Sequence, residues 1–248
     1  MTIKDSALAG KTAFISGSGR NIGRAIAVQL AARGANVVIN GVSNRDACDE
    51  TARMVEAEGA QALVVMGNMG DATAIRSMTD AALERFGTID ILVNNAAVRP
   101  HRPYLETPKS EWDEVIDTGL TAAFHTSQAF LPGMVENGWG RIISMTGMKA
   151  IKGYFEGAPI SVAKHGLWGL TKALATEFGP QGVTVNAVSP GQILTEGRDG
   201  TDPKKLAPIP VGYMGDPEDV AAVVTFLASP ESRFVTGQMI GANGGQAT

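Results

Sequence analysis

The chain is short of cysteine, of excess positive charge and of long apolar runs. Cys48 is the single cysteine among 248 residues, so no intrachain disulfide can form. Its expected place is a surface helix, where a thiol with no activating neighbour is inert. The 21 basic and 25 acidic side chains leave a net charge of −4. Bulk charge therefore gives no support to binding of nucleic acid or an anionic membrane. No run of 18 or more apolar residues occurs, and the opening MTIKDSALAGKTAFIS has no apolar signal core. A cytoplasmic chain that stays out of the membrane is expected. Inter-domain linkers, solenoid repeats and low-complexity segments are missing too, and no metal site is expected.

Hydrophobic residues make up 44% and charged residues 19%, the balance of an ordinary globular protein. The length suits one α/β domain over residues 1–248, and two independent cores would be a squeeze. Short β-branched runs alternate with helical stretches. Strands are expected at 12–17, 36–41, 62–67, 89–96, 140–145, 183–191 and 237–242. Helices are expected at 22–34, 45–59, 71–87, 111–137, 159–179 and 216–229, with Asp71 as an N-cap. Strict alternation with nearly all-apolar strands means a parallel sheet covered on both faces. Right-handed crossovers then make it a doubly wound, Rossmann-like sheet. The long irregular stretch 191–215 is expected to be a substrate loop, with a plain connection as the alternative.

ISGSGRNIGRAIA joins the first strand to the first helix. Gly17, Gly19 and Gly23 let the backbone turn tightly and approach a pyrophosphate, and Arg20, Asn21 and Ile22 lie between them. The helix N-terminus supplies free N–H groups and the positive end of a dipole. A glycine cluster by itself is weak evidence, but this one sits in the strand–turn–helix context that dinucleotide binding requires.

The spacing resembles the T-G-x-x-x-G-x-G fingerprint of the short-chain dehydrogenase/reductase family, with Ser16 for Thr and Asn21 for the middle Gly. Asn tolerates left-handed backbone, so the turn should survive. NNAA at 94–97, containing Asn95, resembles the family's N-N-A-G. SPGQILT at 189–195 resembles its P-G-x-x-x-T element, which holds the nicotinamide amide through Pro190, Gly191, Ile193 and Thr195. VTGQMIGANGG near the C-terminus is also similar, with Asn243 where Asp is commoner. Asn68 and Met69 resemble the pair that contacts adenine. The resemblance covers almost the whole chain and implies an NAD(P)(H)-dependent oxidoreductase acting on a small molecule, built as a homotetramer through the 111–137 and 159–179 helices.

The end of the second strand, where NAD sites carry an acidic residue, is Gly41. Its absence removes repulsion against a 2′-phosphate, to which Arg20, Ser43, Asn44 and Arg45 can donate. NADP(H) is therefore preferred, with NAD(H) possible; the alternative for Arg20 and Arg45 is solvated surface.

The proton chemistry departs from the family. There a Tyr serves the substrate oxygen, a Lys four residues on holds the nicotinamide ribose, a Ser polarises the oxygen and an Asn completes a proton path. Registering on Lys164 places the Tyr position at Ile160, the Ser position at Gly147 and the Asn position at Gly119. A positioned acid is worth roughly 10²–10⁴ in rate and an oxyanion donor roughly 10²–10³. Replacement groups must come from elsewhere, and no Tyr lies between Phe155 and Tyr213. Tyr154 is one candidate, with loop packing as its alternative. His101 is another, in AVRPHRPYLE beside Arg99, Arg102 and Tyr104, where a basic loop can bind an anionic substrate or be plain solvated surface. Restoring Gly147→Ser with Ile160→Tyr should raise ketone reduction if those losses are the sole defect. Two further functions remain open: a non-redox lyase or isomerase on the same scaffold, and an inactive nucleotide-binding sensor.

Overall fold

The computed structural model describes residues 6–196, 200–201, 206 and 208–247. Seven parallel strands run β1 (Thr12–Ile15), β2 (Asn36–Gly41), β3 (Ala62–Met66), β4 (Ile91–Asn94), β5 (Gly140–Met145), β6 (Val183–Pro190) and β7 (Met239–Ala242). Their order in the sheet is β3-β2-β1-β4-β5-β6-β7. The helices are α1 (Asn21–Ala32), α2 (Arg45–Ala57), α3 (Ala72–Phe86), α4 (Lys109–Ile116), α5 (Ala122–Glu136), α6 (Ala158–Phe178) and α7 (Pro217–Ala228).

Alternation along the strands sorts the core into two layers. Ala13 and Ile15 of β1 face a cluster with Ile26 and Leu30 of α1 and Val220 and Val224 of α7. Phe14 between them faces the other side, with Ile75 and Met78 of α3 and Phe130 and Met134 of α5. The expected doubly wound sheet with helices on both faces is what forms. Asp71 caps α3 as expected, its carboxylate accepting from the amides of Thr73 at 2.8 Å and Ala74 at 3.3 Å.

Three details refine or change the expectation. The single helix expected over 111–137 is interrupted by a π-helical turn, Asp117–Thr121, between α4 and α5. Cys48 lies on α2 but is buried at 1% exposure, on the same face as Thr51 and Val55. The 191–215 segment pairs back at Ile193 with Gly215, and residues 197–199, 202–205 and 207 of it lie outside the described residues.

Chain order reverses at β1, which has β2 on one side and β4 on the other. The carboxyl ends of β1 and β4 therefore open a crevice between diverging connections, the place where open α/β sheets bind ligands. Among the described residues no helix is long and apolar enough to cross a membrane.

Candidate active site

Two adjoining cavities of about 690 and 670 Å³ occupy this crevice, and Ile22, Asn95, Arg99 and Thr195 line both.

The first cavity is built around the glycine loop. Gly17 (φ +63°) and Asn21 (φ +49°) both take left-handed backbone, as the Asn-for-Gly exchange required. The Ser16 hydroxyl accepts from the amides of Asn95 and Ala96 at 2.9 and 3.0 Å. The Asn95 side chain donates to the carbonyls of Ser16 and Gly17 at 2.9 and 3.0 Å. Asn95 thus ties the end of β4 to the loop besides lining the groove. Asn40 and Arg24 do similar work and were not singled out from the sequence. The Asn40 amide oxygen accepts from Gly17 N at 3.0 Å, and Arg24 grips the Gly19 carbonyl at 2.6 Å. The N-cap residue of α1, Arg20, makes no side-chain cap bond. Asn21, Ile22 and Gly23 of the first turn, whose N–H groups have no partner within the helix, line the cavity. That is an anion site for a pyrophosphate, and the donor set fits a dinucleotide.

Gly41, Ser43 and Arg20 line this cavity, and among the described residues of its lining there is no carboxylate. A Cβ on Gly41 would come within 2.4 Å of Cys48 Sγ, so the buried thiol closes the position where an NAD site carries its acid. Arg45 is not brought to the groove; it pairs with Asp49 at 2.8 Å one turn along α2. Asn44 caps α2 through Ala47 N. The Asn68 amide oxygen accepts from Gly70 N at 2.9 Å, leaving one lone pair for an adenine amino group. Met69 also lines this cavity, and its side chain packs into the core.

The second cavity holds Lys164, Ile160, Gly147, Tyr154 and His101, with Pro190, Gly191 and Ile193 on its β6 side. Lys164 is 4% exposed and donates to the Met145 carbonyl at 2.6 Å. Burial, followed by the charges of Arg99 and Lys149, pushes its amine down to about 7. One turn earlier on α6, Ile160 packs with Val115 and Ala163. Thr146 offers no spare hydroxyl, because it donates to the Val188 carbonyl at 2.9 Å.

Tyr154 folds over Gly157, where a Cβ would come within 2.5 Å of its ring. Its ring lies 5.4 Å from that of His101 and 3.5 Å beneath Lys149 Nζ. Lys149 and Gln192 also line the cavity and were missed from the sequence. Arg102 and Tyr104, expected nearby, are not part of it: Arg102 pairs with Glu111 at 3.2 Å and Tyr104 is 69% exposed. His165 bonds the Ser161 carbonyl, away from the cavity.

The geometry revises the expected effect of restoring the lost groups. Gly147 sits at φ +96°, where an L side chain is strained. A Cβ on Gly119 would lie 3.2 Å from that of Ala163. The double change Gly147→Ser with Ile160→Tyr is therefore expected to leave ketone reduction within about tenfold of the parent, short of the ~10²–10⁴ of a positioned acid. Steady-state rates on simple ketones check this; a larger gain would show that the loop accommodates the serine.

Comparison with known proteins agrees with this architecture. A family model described as Enoyl-(Acyl carrier protein) reductase matches residues 17–247. The chain is 36% identical to the 3-oxoacyl-[acyl-carrier-protein] reductase FabG of Staphylococcus aureus over 239 residues, 95% of this chain and 97% of that protein. It is likewise 36% identical to the Vibrio cholerae FabG over 242 residues, 96% of this chain and 98% of that one. A solved structure of a blue fluorescent protein from a metagenomic library, in complex with NADPH, superposes with a TM-score of 0.92 at 32% identity, covering 98% and 100% of the two chains. With the sheet order, the glycine loop and the buried Lys164 all in place, the chain belongs to the short-chain dehydrogenase/reductase family of NAD(P)-dependent oxidoreductases.

Proposed function

We propose that the protein is an NADP(H)-preferring oxidoreductase of small molecules whose proton donor is Tyr154 rather than a residue of α6. The observation that carries this is the pair of adjoining cavities, one walled by an uncapped helix N-terminus and the other by Lys164 and Tyr154. The dinucleotide, when bound, supplies or takes a hydride at its nicotinamide ring. Gly17, Gly19, Gly23 and the first turn of α1 would hold its pyrophosphate. Arg20 and Ser43 would hold the 2′-phosphate, and Asn68 the adenine. Pro190, Gly191, Ile193 and Thr195 would seat the nicotinamide amide. Lys164 would hold the ribose beside it.

Tyr154 lines the same cavity as Gly147 and Ile160, with the His101 ring 5.4 Å from its own, and its phenol would serve the substrate oxygen there. The 3-oxoacyl reduction of the bacterial relatives asks for strong help at a ketone oxygen, which Gly147 and Ile160 do not give. A more activated substrate, such as an enone or iminium, fits better. Exposed Phe124 on α5 and Val162 on α6 support assembly of a homotetramer through those helices. A cytoplasmic enzyme belongs to the same proposal.

Fluorescence titration with NADPH and NADH, followed by turnover on carbonyl, enone and imine panels, tests it. NADPH is expected to bind at least about tenfold more tightly, the value of one charge-assisted hydrogen bond (~1.5 kcal/mol). Tyr154→Phe is expected to lower kcat by ~10²–10⁴ on the best substrate. Absence of dinucleotide binding would sink the proposal. Tight binding without turnover on any panel would instead favour a nucleotide sensor.

A further inference from the structure

The walls of the Lys164 cavity carry a charge pattern that dinucleotide binding leaves unexplained. Arg99, His101, Lys149, Lys152 and Lys164 line it, and among the described residues of its lining there is no Asp or Glu. This occurs on a chain whose net charge is −4. Among the described residues, three carboxylates of the neighbouring segments are placed elsewhere. Glu111 is held by Arg102, and Glu196 lies 3.9 Å from Arg20 on the glycine-loop side. Glu156 closes a turn with φ +53° and does not line the cavity.

The backbone brings Lys149 into this cluster. Gly147 turns the chain at φ +96°, and the 3₁₀ turn Met148–Ala150 follows at once. Lys149 Nζ comes to rest 3.5 Å over the Tyr154 ring, and the His101 ring lies 5.4 Å from that same ring. An aromatic face holds a cation in position without neutralising it. The repulsion is felt by both amines: burial and the Arg99 charge push Lys149 down to about 8, and Lys149 in turn depresses Lys164.

We propose that the substrate of this site is a small oxyanion, a carboxylate or a phosphate ester, whose charged group docks on Lys149 with Arg99 and Lys152 around it. This rests on the oxidoreductase proposal above and adds the substrate class. The reacting carbon of such a molecule then lies towards Lys164 and Gly191, with Tyr154 alongside. The cofactor's own phosphates do not account for the cluster, because His101, Lys149 and Lys152 do not line the glycine-loop cavity.

Isothermal titration of the protein–NADPH complex tests the proposal, using malonate, inorganic phosphate and the uncharged N,N′-dimethylmalonamide at pH 8. Tris and HEPES buffers differ in ionisation heat and so report proton exchange. Malonate or phosphate is expected to bind and the diamide not. Tighter binding by one of the two anions assigns the charged group. Because an anion stabilises the protonated amine, binding at pH 8 should draw protons from the buffer. Lys149→Met should raise the anion Kd at least about tenfold, with the NADPH Kd changed less than about twofold. Lys149→Arg should keep the affinity, since Arg is a competent oxyanion donor, and take up fewer protons than wild type, the remainder belonging to Lys164. Lys109→Met on exposed α4 should change nothing. Equal binding of the diamide, no binding of either anion, or an unchanged Kd in Lys149→Met would overturn the proposal. So would a parallel loss of NADPH affinity in that variant, which would assign the cations to the cofactor. Failure of NADPH to bind at all is read separately, from the dinucleotide fluorescence, and counts against the oxidoreductase proposal. The same anion titration on the dinucleotide-free protein then decides whether the cation cluster binds oxyanions.

Discussion

Lys164→Met will cost at least about 10² in turnover while making the dinucleotide-free protein more stable at neutral and acid pH. The two effects have one origin. Lys164 is 4% exposed, its Nζ donates to the Met145 carbonyl at 2.6 Å, and Arg99 and Lys149 repel its charge. Its amine is consequently pushed down to about 7, against about 10.4 in an unfolded chain. Between those values the unfolded chain binds more protons than the folded one. Folding stability therefore rises with pH through this window, and the full penalty applies below about pH 7. Methionine keeps the stem and removes the charge, so the gain over wild type should be a few kcal/mol near pH 6 and fade towards pH 10. Thermal melts at pH 6, 8 and 10 check the sign, and a gain that grew with pH would contradict it.

The activity loss follows from position. A misplaced reacting group costs about 10² even when nothing chemical is removed, and in the function proposed above Lys164 holds the nicotinamide ribose. In wild type, kcat/KM for reduction should fall above about pH 7, because that ratio reports the free enzyme's ionisations. The variant should lack this limb. A falling limb that persists in Lys164→Met would move the ionisation to another group.

Much of the frame was legible because apolar runs and glycines speak directly about backbone. β2 forms over Asn36–Gly41 as expected, and β1 stops at Ile15 because Gly17 turns at φ +63°. β4 ends at Asn94, short of the expected 96, because the amides of Asn95 and Ala96 leave the ladder for the Ser16 hydroxyl. The π turn at Asp117–Thr121 was not legible, since side-chain periodicity runs through it and close approach of Gly119 to Ala163 exists only in three dimensions. Two details of α2 also had a signal. Cys48, Thr51 and Val55 follow helical spacing on one buried face, and Arg45 stands four residues from Asp49. At the candidate site, the glycine loop was readable from its strand–turn–helix context and Lys164 from the family resemblance. Lys149 was not, because its place over Tyr154 depends on the turn at Gly147.

Gly23→Ala is expected to abolish dinucleotide binding, with at least about a 100-fold rise in the NADPH Kd. At Gly23 a Cβ would stand 2.4 Å from the Gly17 carbonyl oxygen, 2.7 Å from Ser18 Cα and 2.9 Å from the Asn95 amide nitrogen. Two of these are backbone atoms and cannot rotate aside. Relief requires the Gly17–Ser18 segment to move off α1. That segment is pinned from three sides: by Asn40 at Gly17 N, by Asn95 at two carbonyls, and by the Ser18 hydroxyl donating to Ile15 O at 2.8 Å. Displacing it breaks these bonds and withdraws the loop amides from the first-turn N–H groups of α1, so the anion site loses its shape. The buried network also adds a stability cost, of the order of 1–3 kcal/mol for each polar group left without a partner. Gly19 makes the contrasting case. A Cβ there meets Cys48 Sγ at 3.0 Å, a side-chain atom that can be removed. Gly19→Ala should therefore be rescued by Cys48→Ala, and Gly23→Ala should not be. Circular dichroism shows whether each variant is folded, and NADPH fluorescence then reads the site alone. A folded Gly23→Ala protein that binds NADPH like the parent would mean that the glycine loop is a plain turn and not a phosphate cradle.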